Sequence, residues 1–436
     1  MISRRIIVIL LLILLFGMPA SAQEDEIADD SQVNLVSAVE LSAVHADINV
    51  QGGPIISPDA STLIWDDSRV DGLCLYTFSN GTIECTPYPE NLRSIFNMTW
   101  SPDSKYVAFT ENFPYIRNES DVWIFSVEER RFYDITNDDV WGADFLRAAG
   151  EDATIDLHPF WNPENGDLYF FRSIVGVNSS INTVQRFDAG KLLSGDTPEI
   201  VIDLAKCIDS PATVYIYDDY DNFPSAVISA DGKQLAILIR PHEPEAAQWG
   251  VWLSDLGSGT LEQVITLGDM RNPAFHAEGS MEDALLTPNG ITWIGNDGLI
   301  VTISDPTRAA IMPNNVLYYD IETEALSILV DFSDIEGAAL YATTNDDGMA
   351  PIAYEPRIVA ISPNNNAIYY TGNPRFSRDV SVLSLPPAED GNMATRFEFF
   401  NEDMSIYPYM RSSVGENDDH IRMIMIGMLF TFERTE

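Results

Sequence analysis

The chain has 436 residues, 45% of them hydrophobic, with 17 Tyr, 21 Phe and 8 Trp; that is enough apolar material for a large core and argues against global disorder. Sixty-seven acidic residues against 24 basic ones give a net charge of −43, so the surface repels phosphate backbones and anionic lipid, and nucleic-acid binding is set aside. Basic partners and divalent cations suit it, although a solvated acidic surface that keeps the protein soluble is the simplest reading.

Residues 1–22 read as a signal peptide. Arg4 and Arg5 precede an apolar run from Ile6 to Phe16, then Pro19 and the small residues Ala20-Ser21-Ala22, with cleavage expected before Gln23. An uncleaved anchor is the alternative, disfavoured because the run falls short of the ~20 residues of a spanning helix. No Cys follows at the cleavage site, so no lipoprotein anchor is expected. Cleavage removes two positive charges and takes the chain to −45. The expectation is a secreted or periplasmic protein with no stable membrane insertion after cleavage. Residues 23–52 form an N-terminal segment that is a candidate closing strand.

Cys74 and Cys85 flank Ser79-Asn80-Gly81, a hairpin turn because Asn and Gly accept left-handed backbone. With a two-residue Asn80-Gly81 loop, Tyr76 faces Cys85 and Cys74 lies diagonally on the same face; a one-residue register change brings the thiols opposite. A disulfide between them is a hypothesis that an oxidising compartment permits. Cys207 is left over as a buried thiol.

From residue 53 to 400 a short turn recurs: Ser57-Pro58-Asp59, Ser101-Pro102-Asp103, Asn162-Pro163-Glu164, Ser229-Ala230-Asp231-Gly232, a degenerate Ile294-Gly295-Asn296-Asp297-Gly298, and Ser362-Pro363-Asn364. The starts fall 44, 61, 67, 65 and 68 residues apart, one repeat with loop insertions. Pro presets φ for the second turn position, and the Ser or Asn before it hydrogen-bonds the backbone. Apolar runs flank each turn, such as Asn97-Met98-Thr99-Trp100 before and Tyr106-Val107-Ala108-Phe109 after, and read as inner strands buried on both faces. A third strand follows (Val122 to Val127, Gly250 to Asp255, Val316 to Ile321, Val380 to Leu383), then a weaker fourth (Phe132 to Ile135, Gln263 to Ile265, Leu326 to Leu329). Four strands per repeat, six times over, predict an all-β, six-bladed β-propeller with four-stranded antiparallel blades.

Residues 98–127 carry the repeat best: apolar strand, Ser-Pro-Asp-x-Lys, apolar strand, then Val-Trp-Ile-Phe-Ser-Val. This resembles the WD-like propeller repeat of the TolB family, and related repeats form the propeller of prolyl-oligopeptidase-type enzymes. The resemblance implies a rigid disc that binds a protein or peptide in the cell envelope. Long insertions in blades three to six, the degenerate fifth motif and the lack of a recognisable helical N-terminal domain are departures from it. The ends need closure: Val33 to Val50, or the tail Ile421 to Phe432 within the C-terminal segment 401–436, can lend an outer strand to a terminal blade. Pairing of both ends in one extra sheet gives seven blades, the alternative architecture. Asn401 to Asp419 reads as a polar loop.

No catalytic constellation is legible. Of five His (His45, His158, His242, His276, His420), none sits in a zinc-protease or deaminase spacing, and no Gly-x-Ser-x-Gly elbow occurs. Two acidic loops, one with Asp218, Asp219 and Asp221 and one with Asp346 and Asp347, each precede an innermost strand. From there their carboxylates can converge near the channel, and hard oxygen ligands suit calcium. Neither matches an EF-hand. Trp100, Trp161 and Trp293 read as inter-blade core rather than a ligand platform. Two functions follow: a non-catalytic scaffold binding a protein or peptide partner, or a propeller enzyme or ligand binder with an acidic, calcium-dependent channel mouth.

Overall fold

The computed structural model describes residues 33–49, 52–92, 94–111, 120–137, 154–174, 183–192, 197–204, 226–239, 250–270, 287–304, 316–330, 357–361, 367–371, 379–384, 395–398, 413–417, 420–425 and 428–434. The chain divides into two compact units, 1–30 and 31–436, and every described residue belongs to the second. The expected signal peptide, Cys207, His242, His276 and the Ser362-Pro363-Asn364 turn lie outside the described residues.

Each of the six repeats is a four-stranded antiparallel sheet with its strands in chain order, over 55–87, 95–134, 154–203, 226–266, 287–330 and 357–398. The blades are arranged as a propeller. A further four-stranded sheet joins the two ends: Val33–Glu40 is its outermost strand, followed inward by Met428–Arg434, Ile421–Met425 and Ser413–Glu416. Its innermost strand adjoins the innermost strands of the first and sixth repeats, Ile55–Ile56 and Arg357–Ile361. Six blades are therefore written in the repeats, and the paired ends add the seventh. Among the described residues of the candidate closing segment Val33–Glu40 is strand; the chain then turns into a one-turn helix, Leu41–Val44, with Leu41 fully buried.

The expected polar loop over 401–419 is corrected at Ser413–Glu416, which is a strand. Its composition misleads because the strand is short and Gly415 is selected by proximity: a Cβ there would lie 2.0 Å from the Ser57 carbonyl oxygen. Around this seam Ser413 Oγ accepts from the Ile56 N–H at 2.8 Å, and the Glu416 N–H donates to Pro58 O at 2.7 Å. Arg422 donates to Ala60 O at 2.6 Å and stacks 4.4 Å from the Phe78 ring centroid.

The turn chemistry acts as its residues require. Ser57, Ser101 and Ser229 each donate a hydroxyl to the Asp two residues on, and accept the backbone N–H five residues on. Neighbouring turns also bond to one another: the Asp59 N–H to Ser104 Oγ, Asn162 Nδ2 to Gly232 O, the Asp231 N–H to Asn296 Oδ1, and Asn417 Nδ2 to Asp59 O.

In blade 2 the second and third strands are buried along most of their length, from Val107 to Glu111 and over Val122–Ser126, whereas the outermost strand of blade 1, Thr82–Pro87, is mostly exposed. First strands differ from expectation: Phe96 to Thr99 are only half-buried, because the innermost strand has one edge on the channel. The three tryptophans are inter-blade contacts, each at 8% exposure or less. Their indole N–H groups reach back to the preceding blade: Trp100 to Ile55 O, Trp161 to Thr99 O and Trp293 to Val227 O, at 3.5, 3.2 and 3.0 Å. A buried indole that finds an acceptor adds direction to roughly 2–3 kcal/mol of apolar burial.

Cys74 and Cys85 stand directly opposite in register and are joined as a disulfide. The loop is four residues, Phe78 to Gly81, rather than two, since Thr77 pairs with Thr82. Gly81 supplies the left-handed position at φ 67°.

Candidate functional site

An antiparallel meander that starts at the centre sends its first-to-second and third-to-fourth turns out at one end. Its second-to-third turn and the link to the next blade leave at the other. The first end carries the short, mutually bonded Ser-Pro-Asp turns and two longer third-to-fourth connections, 188–198 and 385–394. The second carries the long connections: 135–153, 204–225, 267–286, 331–356 and 399–412 between blades, and 112–121, 240–249 and 305–315 within them. Asp218, Asp219 and Asp221 belong to the 204–225 connection, and Asp346 and Asp347 to 331–356; all five lie outside the described residues. Among the described residues no group of three His, Cys, Asp or Glu side chains could hold a metal ion.

Among the innermost strands, the junction of blades 2 and 3 stands out. The innermost strands Ile95–Trp100 and Thr154–Trp161 each lose register with their neighbour, between Phe96 and Thr99 and between Leu157 and Phe160. These are β-bulges, which re-aim side chains. At the bulges Asn97 and His158 adopt φ of 56° and 53°. Among the described residues, every other non-glycine with positive φ lies outside a strand. Left-handed backbone costs roughly 1–3 kcal/mol at such a residue and persists only where its surroundings impose it. The two side chains meet, Asn97 Nδ2 lying 3.3 Å from His158 Nδ1, and both are half-buried.

Buried polar groups lie on the same strands and their neighbours. Arg172 grips both carboxylate oxygens of the fully buried Asp156 at 2.7 Å, from Nε and Nη2. Ser120, just before the third strand of blade 2, exchanges bonds with the first strand of blade 3. The Asp156 N–H donates to Ser120 O, and Ser120 Oγ donates to Asp156 O, each at 2.9 Å. Glu111 accepts the Trp123 indole N–H at 2.7 Å, and Asp121 accepts from Thr136 Oγ1 at 2.9 Å. Thr110, the register partner of Phe96, is 1% exposed and its hydroxyl has no hydrogen-bond partner. Such a group costs about 1–3 kcal/mol, another sign that the junction is not arranged for stability alone.

A second charged position is Asp67, at the loop-bearing end of blade 1. The Arg69 guanidinium beside it, with the Arg69 backbone N–H and the Trp65 indole N–H, pushes its carboxyl down to about 2 against the opposing effect of burial. Its neighbour Asp66 is shifted the other way, raised by burial although Tyr88 donates to it at 2.7 Å.

Sequence reasoning passed over both central residues, placing Asn97 in an apolar run and counting His158 among histidines without partners. One signal was available: each sits three residues before its blade's inter-blade tryptophan, Trp100 or Trp161. Aligning the repeats on tryptophan puts the two at one position on adjacent blades.

No protein-family model and no curated protein matches the chain. Solved structures similar to it include hydrazine synthase from Kuenenia stuttgartiensis, at 12% identity and a TM-score of 0.50 over 90% of this chain and 97% of that one. An oligogalacturonate lyase in complex with manganese matches at 12% identity and 0.50, over 88% of each chain. TolB from Acinetobacter baumannii is also similar, at 14% identity and 0.36, over 81% of this chain and 66% of that one. At these identities the likeness concerns the propeller fold alone, and a TM-score of 0.36 adds no argument to it.

Proposed function

We propose that this chain is an exported, non-catalytic β-propeller that serves as a binding scaffold for a protein or peptide partner in the cell envelope or outside the cell. The observation that carries this reading is the asymmetry of the disc. One end carries the short turns bonded to one another and only two connections of ten or more residues, 188–198 and 385–394, and the other carries the eight long ones named above. Long connections on a rigid scaffold are where binding residues concentrate. Four inter-blade connections are acidic, most of all 331–356 with Asp331, Asp334, Glu336, Asp346, Asp347 and Glu355 and no basic residue. A partner segment with basic character fits such a rim.

A photo-crosslinking amino acid placed in turn at positions 144, 219 and 346 on the loop-bearing end, and at 104, 164 and 231 on the turn end, tests this in cells that export the chain. Expected is a discrete adduct of one mass from the first set and none from the second. Adducts from the turn end, or from neither set, would overturn the reading.

A further inference from the structure

We propose that Asn80 is an N-glycosylation site, taking an oligosaccharide from a polyprenyl-phosphate-linked donor once the chain has left the cytoplasm. The inference goes beyond the scaffold reading and rests on it for export alone.

The motif is Asn80-Gly81-Thr82, an Asn-x-Thr acceptor with no proline between. Asn97-Met98-Thr99, Asn118-Glu119-Ser120 and Asn178-Ser179-Ser180 share its spacing. Asn97 is half-buried on an innermost strand, its Nδ2 3.3 Å from His158 Nδ1, and Asn118 and Asn178 lie outside the described residues. Asn80 stands instead at the turn end of blade 1, in the exposed part of the loop between Gly72–Thr77 and Thr82–Pro87. The Cys74–Cys85 bridge ties the same two strands, so the loop stays on display in the folded chain.

The geometry adds to the motif. Asn80 Oδ1 accepts the Thr82 backbone N–H at 3.0 Å and the Thr82 hydroxyl at 2.8 Å. Two donors on that side fix the amide oxygen there and leave Nδ2, with no hydrogen-bond partner among the described residues, as the open end of the carboxamide. In the transfer, Nδ2 attacks the anomeric carbon of the donor sugar. The N–C bond forms as the C–O bond to phosphate breaks, the phosphate leaves with that electron pair, and the amide proton passes to a base on the transferase. The competing fate of an Asn-Gly pair is deamidation, which needs the Gly81 nitrogen as nucleophile; here the Gly81 N–H is held by Thr77 O at 2.9 Å. Thr82 also opens an outermost strand with an unpaired edge, and a bulky hydrophilic group beside it hinders strand addition, the liability of any exposed edge.

The test takes the chain from the organism that makes it, in envelope and medium fractions, after reduction and alkylation. Trypsin releases residues 70–93, between Arg69 and Arg93, with Asn80 as the one acceptor in the peptide. Expected by mass spectrometry are sugar fragment ions and a glycan mass on Asn80 in most copies, its loss in Thr82→Ala, and its recovery in Thr82→Ser, with the Cys74–Cys85 bridge formed in all three. A bare Asn80 in the exported chain, Asp at position 80 without sugar, or a glycan that survives Thr82→Ala would overturn the proposal. The mature N-terminus, read from the same sample, separates the failures. A bare Asn80 on a chain that starts at Gln23 removes the glycan alone, whereas a chain that keeps Met1 and stays in the cytoplasm removes export and the proposal with it.

Discussion

Replacing Arg172 with methionine separates a clamp at the junction of blades 2 and 3 from an incidental ion pair. The guanidinium meets both Asp156 oxygens at 2.7 Å. The carboxylate is 0% exposed, while the Arg172 side chain keeps 24% of its exposure. Methionine preserves much of the stem packing and removes the charge, leaving a carboxylate buried without its cation. Breaking a buried pair from one side costs roughly 3–5 kcal/mol, and the partly exposed arginine puts this one near the lower end, about 3 kcal/mol. With roughly 2.1 cal/mol/K per residue over about 400 residues, the unfolding entropy is about 0.8 kcal/mol/K, so Tm falls by about 4 °C. The assay is differential scanning calorimetry at pH 7 and fixed ionic strength. Arg172→Met combined with Asp156→Leu removes both charges and should recover most of the loss, since an apolar pair often replaces a buried ion pair at little cost. A single variant within 1 °C of the parent, or a double variant no better than the single, would refute the reasoning.

Three further outcomes are expected. Asp67, held at about 2 chiefly by the Arg69 hydrogen bonds, titrates below its unfolded value of about 3.9. The stabilisation it contributes, about 2 kcal/mol, is therefore present above about pH 4 and lost as pH falls toward 2. Urea melts of Asp67→Asn should be less stable at pH 7 and flatter between pH 4 and 2, and a parallel acid limb would count against the assignment. Reducing Cys74–Cys85, which closes a separation of 11 residues, should lower stability by about 2–3 kcal/mol on the chain-entropy account. Thiol titration of the denatured, unreduced protein should find one free thiol, Cys207; three would contradict the bridge. Calcium added at constant ionic strength should leave Tm where magnesium leaves it, and a calcium-specific rise would move the acidic connections from rim to ligand site.

The blades were legible because their signal is redundant. Five turns with Ser or Asn and Asp, Asn or Glu at fixed offsets, each between apolar runs, give one answer, and the sixth, degenerate turn near Gly295 still ends the strand Thr287–Ile294. Closure was legible only as a choice, since Ser413–Glu416 is too short and polar to advertise a strand and is defined by its neighbour Ile55–Ile56. Cys74 and Cys85 depended on loop length, a two-residue difference that composition does not reveal. The Asn97–His158 contact joins residues 61 apart through bulges, and a bulge is set by the register of a strand pair rather than by propensity. What hid the site is that its residues break the alternation by which strands are read.

That break also fixes where such a site can stand. A single blade has two apolar faces and cannot bury both alone; the terminal blades gain their second neighbour only when the ring closes. Here closure depends on pairing Val33–Glu40 with Met428–Arg434, so the seam between chain ends is the junction held by the fewest covalent constraints. A strained pair placed at the seam would relax whenever the ends parted. Asn97 and His158 instead sit between the second and third repeats, where the indole of Trp161 reaches Thr99 O and Ser120 bonds across to Asp156 in backbone and side chain alike. Those cross-blade bonds keep the two innermost strands in one relative position, which is what a strained contact between side chains on different blades needs in order to persist.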